Sequence, residues 1–317
     1  MSYFIRTDEG HVANLRDKLQ DCIRRWTTET DAVGLLFTIP GLLLLVAILA
    51  YPVFQGLWLS LQHYDLSSIA APFFVGLQNY IQAFHSDDFL AALWHTLYIV
   101  AVALVLEFVL GLALAHLFNQ EFPFRRILLG LILVPWMVAP VVAALVWSQL
   151  LNESYGIVNY FLLKTGLVHH SVGWLTNPTL ALHVMIGVDV WHETPFVFII
   201  LLAGLQGINK DVYEAAELDG AGPWQRLWFV TLPMLRPAIA LALLLRTMIA
   251  LRFFDIPWIM TGGGPAGATE VLGTRSYEAA FMSFKLGYGS AIATVILILS
   301  LILSLAYIKI LYKKRAS

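Results

Sequence analysis

The chain has 317 residues, 59% of them hydrophobic and 13% charged, with a net charge of −2 and a mean hydropathy of +0.75. Soluble domains carry about 25% charged residues, so this chain has too few polar side chains to cover a water-facing surface. A cytosolic enzyme, a nucleic-acid binder and a disordered protein are excluded: the near-neutral balance recruits no polyanion, and the single cysteine, Cys22, allows neither an intrachain disulfide nor a cysteine metal cage.

A hydrocarbon core about 30 Å thick is crossed by about 20 mostly apolar helical residues. Residues 1–31 are polar and mixed in charge, with weak helical character. The apolar run behind them is far longer than a signal core, so they read as a cytoplasmic N-terminal segment and not a cleaved signal peptide. Six predicted spans follow, at about Ala32–Leu61, Phe89–Phe118, Ile127–Leu151, Leu180–Leu205, Pro237–Met260 and Tyr288–Leu311. The expected fold is therefore an all-α polytopic membrane protein, with a transmembrane domain over 32–312 and a short cytoplasmic tail, 313–317. Fourteen Lys and Arg fall on the side holding both termini and the loop 206–236, against three on the other. Cytoplasmic loops carry the excess of Lys and Arg, so both termini and that loop are expected in the cytoplasm. The outer loops carry aromatics such as Tyr64, Phe73, Phe74, Tyr80, Phe84 and Trp174, as an interfacial belt or short docking helices do.

The most informative stretch is Asn209–Pro237, NKDVYEAAELDGAGPWQRLWFVTLPMLRP. Asn209 is placed to cap a helix, and Asp211 and Glu214 suit its positive end. Gly220 and Gly222 stop that helix, since glycine takes the left-handed turn freely. Pro223 opens a second helix, with Trp224, Leu227 and Trp228 on one apolar face. Pro233 biases Leu232 out of helical geometry and ends it. The expectation is helix, tight turn, helix, lying along the cytoplasmic surface. Such an element serves either as an interfacial anchor or as a docking site. The small Ala215, Ala216, Gly220 and Ala221 favour close approach to a partner.

The run Glu214-Ala215-Ala216, Asp219-Gly220-Ala221, Leu232-Pro233 and Pro237 resembles the EAA loop of permease subunits in binding-protein-dependent ABC importers. Other pieces are similar to the carbohydrate-uptake, maltose-type branch, in the expected order. They are Tyr51-Pro52 ending the first span, Glu107-Phe108 with Gly111 in the second, Pro135 in the third, and Trp191 with Thr194-Pro195-Phe196 in the fourth. Thr261-Gly262-Gly263-Gly264-Pro265 follows the fifth, and Leu286-Gly287-Tyr288-Gly289-Ser290-Ala291 opens the sixth. The resemblance covers about residues 32–312. It implies a multi-pass subunit of the bacterial cytoplasmic (inner) membrane that imports a sugar, oligosaccharide or polyol. The implied partners are a second permease subunit, as a heterodimer, two ATPase subunits and an extracytoplasmic solute-binding protein. ATP and magnesium would sit on the ATPase, with no cofactor on this chain. The resemblance also implies that Glu214, Ala215, Ala216, Asp219, Gly220 and Ala221 form the coupling element that meets the ATPase.

Charges inside the spans cost roughly 2.5–3.5 kcal/mol each at mid-bilayer on insertion scales, so they are paired or face water. Asp189, His192, Glu193 and Phe196 are spaced i, i+3, i+4, i+7 and share one helical face. Pro195 loosens the backbone beside them. The resemblance implies that they border the sugar path, together with Arg252 and Phe253 of the fifth span. Carboxylates and imidazole suit hydroxyls, and aromatic faces suit C–H surfaces. The competing reading is structural: Arg246, Arg252 and Asp255 pair with Glu107, Asp189 or Glu193, and Arg252 and Asp255 satisfy each other as i, i+3 neighbours.

No G-x-x-x-x-G-K-[ST] occurs, so the chain holds no P-loop of its own. No G-x-S-x-G elbow occurs either. His192-Glu193 lacks the second histidine of a zinc helix motif, and the loop pair His169-His170 reads as solvated. Two rivals remain at this point. In an ion-coupled secondary transporter Asp189, His192 and Glu193 form a proton relay. In an intramembrane enzyme His192 and Glu193 act as acid and base. Neither needs the loop around Glu214.

Overall fold

The structure is a computed structural model that describes residues 29–312, with side chains from residue 37 to residue 309. The expectations for the N-terminal segment up to residue 28 and for the tail 313–317 fall outside the described residues. The chain divides into two units, residues 1–55 and 56–317. The described part of the first unit is helical: α1 runs Glu29–Ser60, and its residues up to Gln55 belong to that unit. The helix ends at Ser60, close to the predicted Leu61, and passes through Pro40 and through Pro52 of the Tyr51-Pro52 pair without a stop. A proline removes one backbone donor, whereas opening the helix inside a bilayer would leave several groups unsatisfied where no water reaches them.

In the second unit a two-residue hairpin follows, β1 Gln62–His63 against β2 Phe73–Phe74, with Gln62 opposite Phe74. Asn79, on α2 Gln78–Phe84, ties this corner together by donating to the carbonyls of Ser60 (2.8 Å) and Gln62 (2.9 Å). The chain continues through α3 Asp87–Phe118, α4 Arg125–Met137, α5 Pro140–Leu150, α6 Ile157–Lys164 and α7 Pro178–Gln206. Among the described residues five helical segments are long and apolar enough to cross a membrane: Phe37–Ser60, Asp87–Phe118, Pro178–Gln206, Pro223–Ala250 and Leu286–Lys309. The bent pair α4 and α5 makes a sixth crossing if counted as one span.

That pair corrects the reading of Ile127–Leu151 as one straight helix. The two helices meet at 94°. Val138 (ψ 135°) and Ala139 (φ −60°, ψ 137°) are extended between them. Ala139 precedes Pro140, and a residue before proline is driven out of helical geometry by the ring.

The centre of the unit is α3 packed along α7. In lipid, helix association gains little from hydrophobic burial, so close approach of small residues supplies the packing. Gly111 of α3 meets α7 in this way: a Cβ there would lie 3.1 Å from Val197 Cγ1 and 3.2 Å from the Phe198 amide nitrogen. One apolar cluster gathers Ile99, Ala103, Met185, Ile186, Phe253 and Ile256. A second gathers Ala115, Phe118, Val197, Phe198, Leu201, Leu235 and Ala242. Along α3 Glu107 falls between the two clusters, whereas on α7 Asp189 is flanked by Val188 and Val190 of the first.

The loop after α7 forms the expected elbow, then departs from expectation. Asn209 caps α8, Lys210–Leu218, accepting from the Asp211 amide at 3.2 Å. Gly220 takes φ +80°, and the Ala221 amide reaches back to the Ala216 carbonyl at 2.9 Å, closing the helix end as a left-handed glycine allows. Pro223 opens α9, Pro223–Arg226. Pro233 does not end this second helix. Leu232 stays helical (φ −61°, ψ −43°), and the chain runs through a π-turn, Leu227–Thr231, into α10, Leu232–Ala250. In the π-turn the Leu232 amide bonds to Leu227, five residues back. This wider turn makes room for the ring and for the donor that Pro233 lacks. The second arm is therefore the start of the fifth span.

That span starts and ends earlier than the predicted Pro237–Met260. It stops at Ala250; residues 251–254 are not helical, and α11, Asp255–Thr261, starts afresh. Asp255 and Pro257 lie in the first turn of α11, where an acid and a missing donor are both tolerated. Gly262 (φ +61°) closes it. The described residues end with α12 Leu272–Tyr277, a π-turn Glu278–Met282, and α13 Leu286–Tyr312.

Candidate functional site

α7 is fixed at its start by Asn177, whose side chain accepts from the amides of Thr179 (3.0 Å) and Leu180 (3.2 Å). It therefore presents Asp189, His192 and Glu193 on one buried face, each less than a tenth exposed. Arg246 of α10 is 1% exposed and faces the same layer. Its Nε and Nη2 donate to the two oxygens of Glu107, both at 2.7 Å, and Nη2 also donates to Asp189. This fork-to-carboxylate arrangement is the strong form of ion pair. Three spans are thus bolted through one guanidinium, and the structural pairing of Arg246 with Glu107 and Asp189 is present.

His192 and Glu193 form a second buried pair. His192 Nδ1 lies 3.0 Å from Glu193 Oε1, and Nε2 lies 2.8 Å from the Val138 carbonyl in the break between α4 and α5. Glu193 Oε2 is buried with no hydrogen-bond partner.

Beside these groups lies a cavity of about 70 Å³. Asp189, His192, Glu193, Arg246, Arg252, Phe253 and Asp255 line it, with Pro140 and Phe254 at its wall. The structure thus brings together five of the six residues proposed for a solute path. Phe196 stands apart: it packs in the second apolar cluster with its ring 5.6 Å from that of Trp136. Among the described residues Arg252 forms no ion pair with Asp255. Its Nε donates to the Met248 carbonyl at 3.2 Å, because the i, i+3 geometry of a helix is lost where α10 has ended. Sequence reasoning missed Pro140, Val138 and Phe254 at this site. Pro135 and Pro140 carried the signal for the first two, as prolines five apart in one apolar run.

The elbow residues are accessible. Glu214, Ala215, Asp219 and Gly220 are exposed, and Ala216 and Ala221 half-buried. Leu218 is 90% exposed, which leaves an apolar knob at the tip. Tyr213 Oη meets Thr231 Oγ1 at 3.2 Å, and Arg226 meets Glu217 at 3.4 Å across the turn. The two arms are therefore joined by two side-chain contacts. Away from this layer, Arg275 gathers Asp88 (2.9 Å), Glu270 (3.3 Å) and Glu278 (3.3 Å). Burial pushes the Glu270 carboxyl up to about 7; Arg275 pulls it down and Glu278 pushes it further up. Among the described residues no group of three or more His, Cys, Asp or Glu side chains has the makings of a metal site.

Comparison with known proteins gives a consistent result. A family model described as binding-protein-dependent transport system inner membrane component matches residues 107–317. The chain is 38% identical to the trehalose/maltose transport system permease protein MalF of Thermococcus litoralis, over 88% of this chain and 93% of that protein. It is 35% identical to the trehalose transport system permease protein SugA of Mycobacterium tuberculosis, over 88% of each chain. Among solved structures, a chain from a bacterial alginate ABC transporter in complex with an alginate pentasaccharide-bound periplasmic protein aligns with a TM-score of 0.76 and 24% identity, covering 90% of this chain and 96% of that one. At that identity the likeness concerns the fold.

Proposed function

Since this chain belongs to the binding-protein-dependent transport system inner membrane components, a family of multi-pass membrane subunits that translocate and do not catalyse, we propose that it is the permease subunit of an ATP-driven importer for a sugar or polyol. Trehalose and maltose, named for a relative at 38% identity, support a sugar as the class of solute. One observation carries the mechanism: the second arm of the elbow and the span ending beside the cavity are one continuous helical segment, Pro223–Ala250. At 1.5 Å per residue it is about 42 Å long. A force on α8 is passed by the Tyr213–Thr231 contact to this rod, and the rod carries Arg246 into the charged layer. An ATPase that grips Glu214, Ala215, Ala216, Asp219, Gly220 and Ala221 and closes on ATP would shift α10 against α3 and α7. Rigid-body shifts of this kind open and close cavities between packed elements.

In this reading the extracytoplasmic binding protein delivers solute on the face away from the elbow, and a second permease subunit completes the path. Asp189, His192, Glu193, Arg252 and Phe253 border the solute, with Phe196 lining it farther along. The unpartnered Glu193 Oε2 suits a donating hydroxyl, since a buried acceptor left unsatisfied costs about 1–3 kcal/mol. The test is reconstitution in liposomes with the partner permease, the ATPase and the binding protein, scoring uptake of labelled trehalose and maltose. Uptake should require ATP inside the ATPase compartment and fall at least tenfold for Glu214→Ala, with membrane insertion intact. Uptake by this chain alone under a proton gradient, or full uptake with Glu214→Ala, would overturn the proposal.

A further inference from the structure

The break between α4 and α5 leaves backbone groups without helical partners. Ala139 accepts the first bond of α5, from the Ala143 amide at 3.0 Å. The Val138 carbonyl, one residue earlier, is taken by a side chain from another span, His192 Nε2 at 2.8 Å. A carbonyl only accepts, so Nε2 carries a hydrogen. Nδ1 then faces Glu193 Oε1 at 3.0 Å, and this contact is a hydrogen bond only when one proton lies between them. The pair is either imidazolium with carboxylate or imidazole with carboxylic acid. Remove that proton, and imidazole nitrogen and carboxylate oxygen oppose lone pair to lone pair, or the ring turns its remaining hydrogen to Glu193 and releases Val138. One of the two bonds is lost in either case.

We propose that His192, anchored by a proton held with Glu193, is a positioning residue that clasps the broken third span and so sets the mouth of the cavity. Pro140, the first residue of α5, is part of the cavity wall, so the angle at the break sets the shape of the site. The clasp goes beyond the importer reading and does not depend on which solute is carried. The charged groups around the pair are Asp189 on its own helix, Glu107 of α3, Arg246 of α10, and Arg252 and Asp255 across the cavity; α4 and α5 bring no titratable side chain to the break. Arg246 is already engaged by Glu107 and Asp189, which leaves the His192–Glu193 pair as a separate unit.

The experiment measures the break directly. Spin labels are placed at Ile127→Cys and Val146→Cys, both in exposed positions, in a Cys22→Ser chain assembled with its partner permease and ATPase in lipid nanodiscs. With a 1.5 Å rise per residue, the two backbone positions lie about 20 Å apart at a right-angled break and about 28 Å apart in a straight helix. His192→Leu removes the donor to Val138 and should move the distance distribution toward the longer value. His192→Gln keeps an N–H donor without the shared proton and should hold the shorter one. Raising the pH from about 6 to about 10, across the usual range of imidazole and well beyond it, should carry the wild type toward the His192→Leu distribution and leave His192→Gln unmoved. A His192→Leu distribution equal to wild type overturns the clasp. If that variant does not assemble, the pH arm decides: identical behaviour of wild type and His192→Gln at every pH overturns it.

Discussion

Arg246→Met is the sharpest test of the charged layer. Arg246 and Glu107 are 1% and 0% exposed, and Asp189 is 3% exposed. The substitution keeps length and apolar bulk but leaves two carboxyl groups facing one another without their cation. Removing one partner of a buried ion pair costs about 3–5 kcal/mol, because the remaining charge is uncompensated. At 1.4 kcal/mol per tenfold, that is roughly a hundred- to a few-thousandfold increase in the unfolded fraction. Replacing the whole group with Arg246→Met, Glu107→Leu and Asp189→Leu removes the charges together, and such replacements are often neutral or stabilising. Unfolding in mixed micelles with rising SDS, followed by tryptophan fluorescence, measures both. The single variant should unfold at a clearly lower SDS fraction, and the triple variant should recover most of the loss. A single variant within about 1 kcal/mol of wild type, below the range for a broken buried pair, refutes the reasoning. So does a triple variant no more stable than the single one.

Gly204→Ala should destabilise by about 1–3 kcal/mol through overpacking, since the new methyl would meet Ala238 Cβ at 2.6 Å and Leu235 Cδ2 at 2.9 Å; the same SDS titration reports it, and an unchanged midpoint would show that α7 and α10 can separate at no cost. Gly220→Val forces a β-branched residue to φ +80°, a strained conformation; uptake driven by ATP should fall several-fold while the amount of inserted protein stays constant, and unchanged uptake would remove the turn from the coupling path. Glu270 sits at about 7 in the folded protein against an ordinary 4.5, so the native state holds a proton that the unfolded chain has released. Stability should therefore decline as pH rises from about 4.5 to about 7 and then level off. Glu270→Gln should lose that slope, and an identical slope in the variant would assign the pH dependence to another group. Asn159→Leu strips partners from Val172 and the Trp174 indole, which now bond to Asn159 at 3.0–3.1 Å; about 1–3 kcal/mol should be lost, and a thermal midpoint equal to wild type would contradict it.

The amino-acid sequence alone determined the class of molecule. Runs of apolar residues the length of a bilayer admit few solutions, because a backbone in hydrocarbon must bond to itself. The elbow was legible for a local reason: Asn209, Gly220 and Pro223 act on their own neighbours, through a cap, a left-handed turn and a preset φ. Tertiary structure decided what the charges do. Arg246 lies 139 residues from Glu107 and 57 from Asp189, and no periodicity along one helix reveals which carboxyl on another will meet it. The same holds for His192, whose partner at Val138 is a carbonyl that any residue type would supply. The breaks at Val138–Ala139 and at 251–254 and the unbroken passage through Pro233 show the limit from the other side. A proline states only that one donor is missing and one carbonyl crowded. Whether the chain bends, widens into a π-turn or carries on is settled by the groups that the rest of the fold brings to that point.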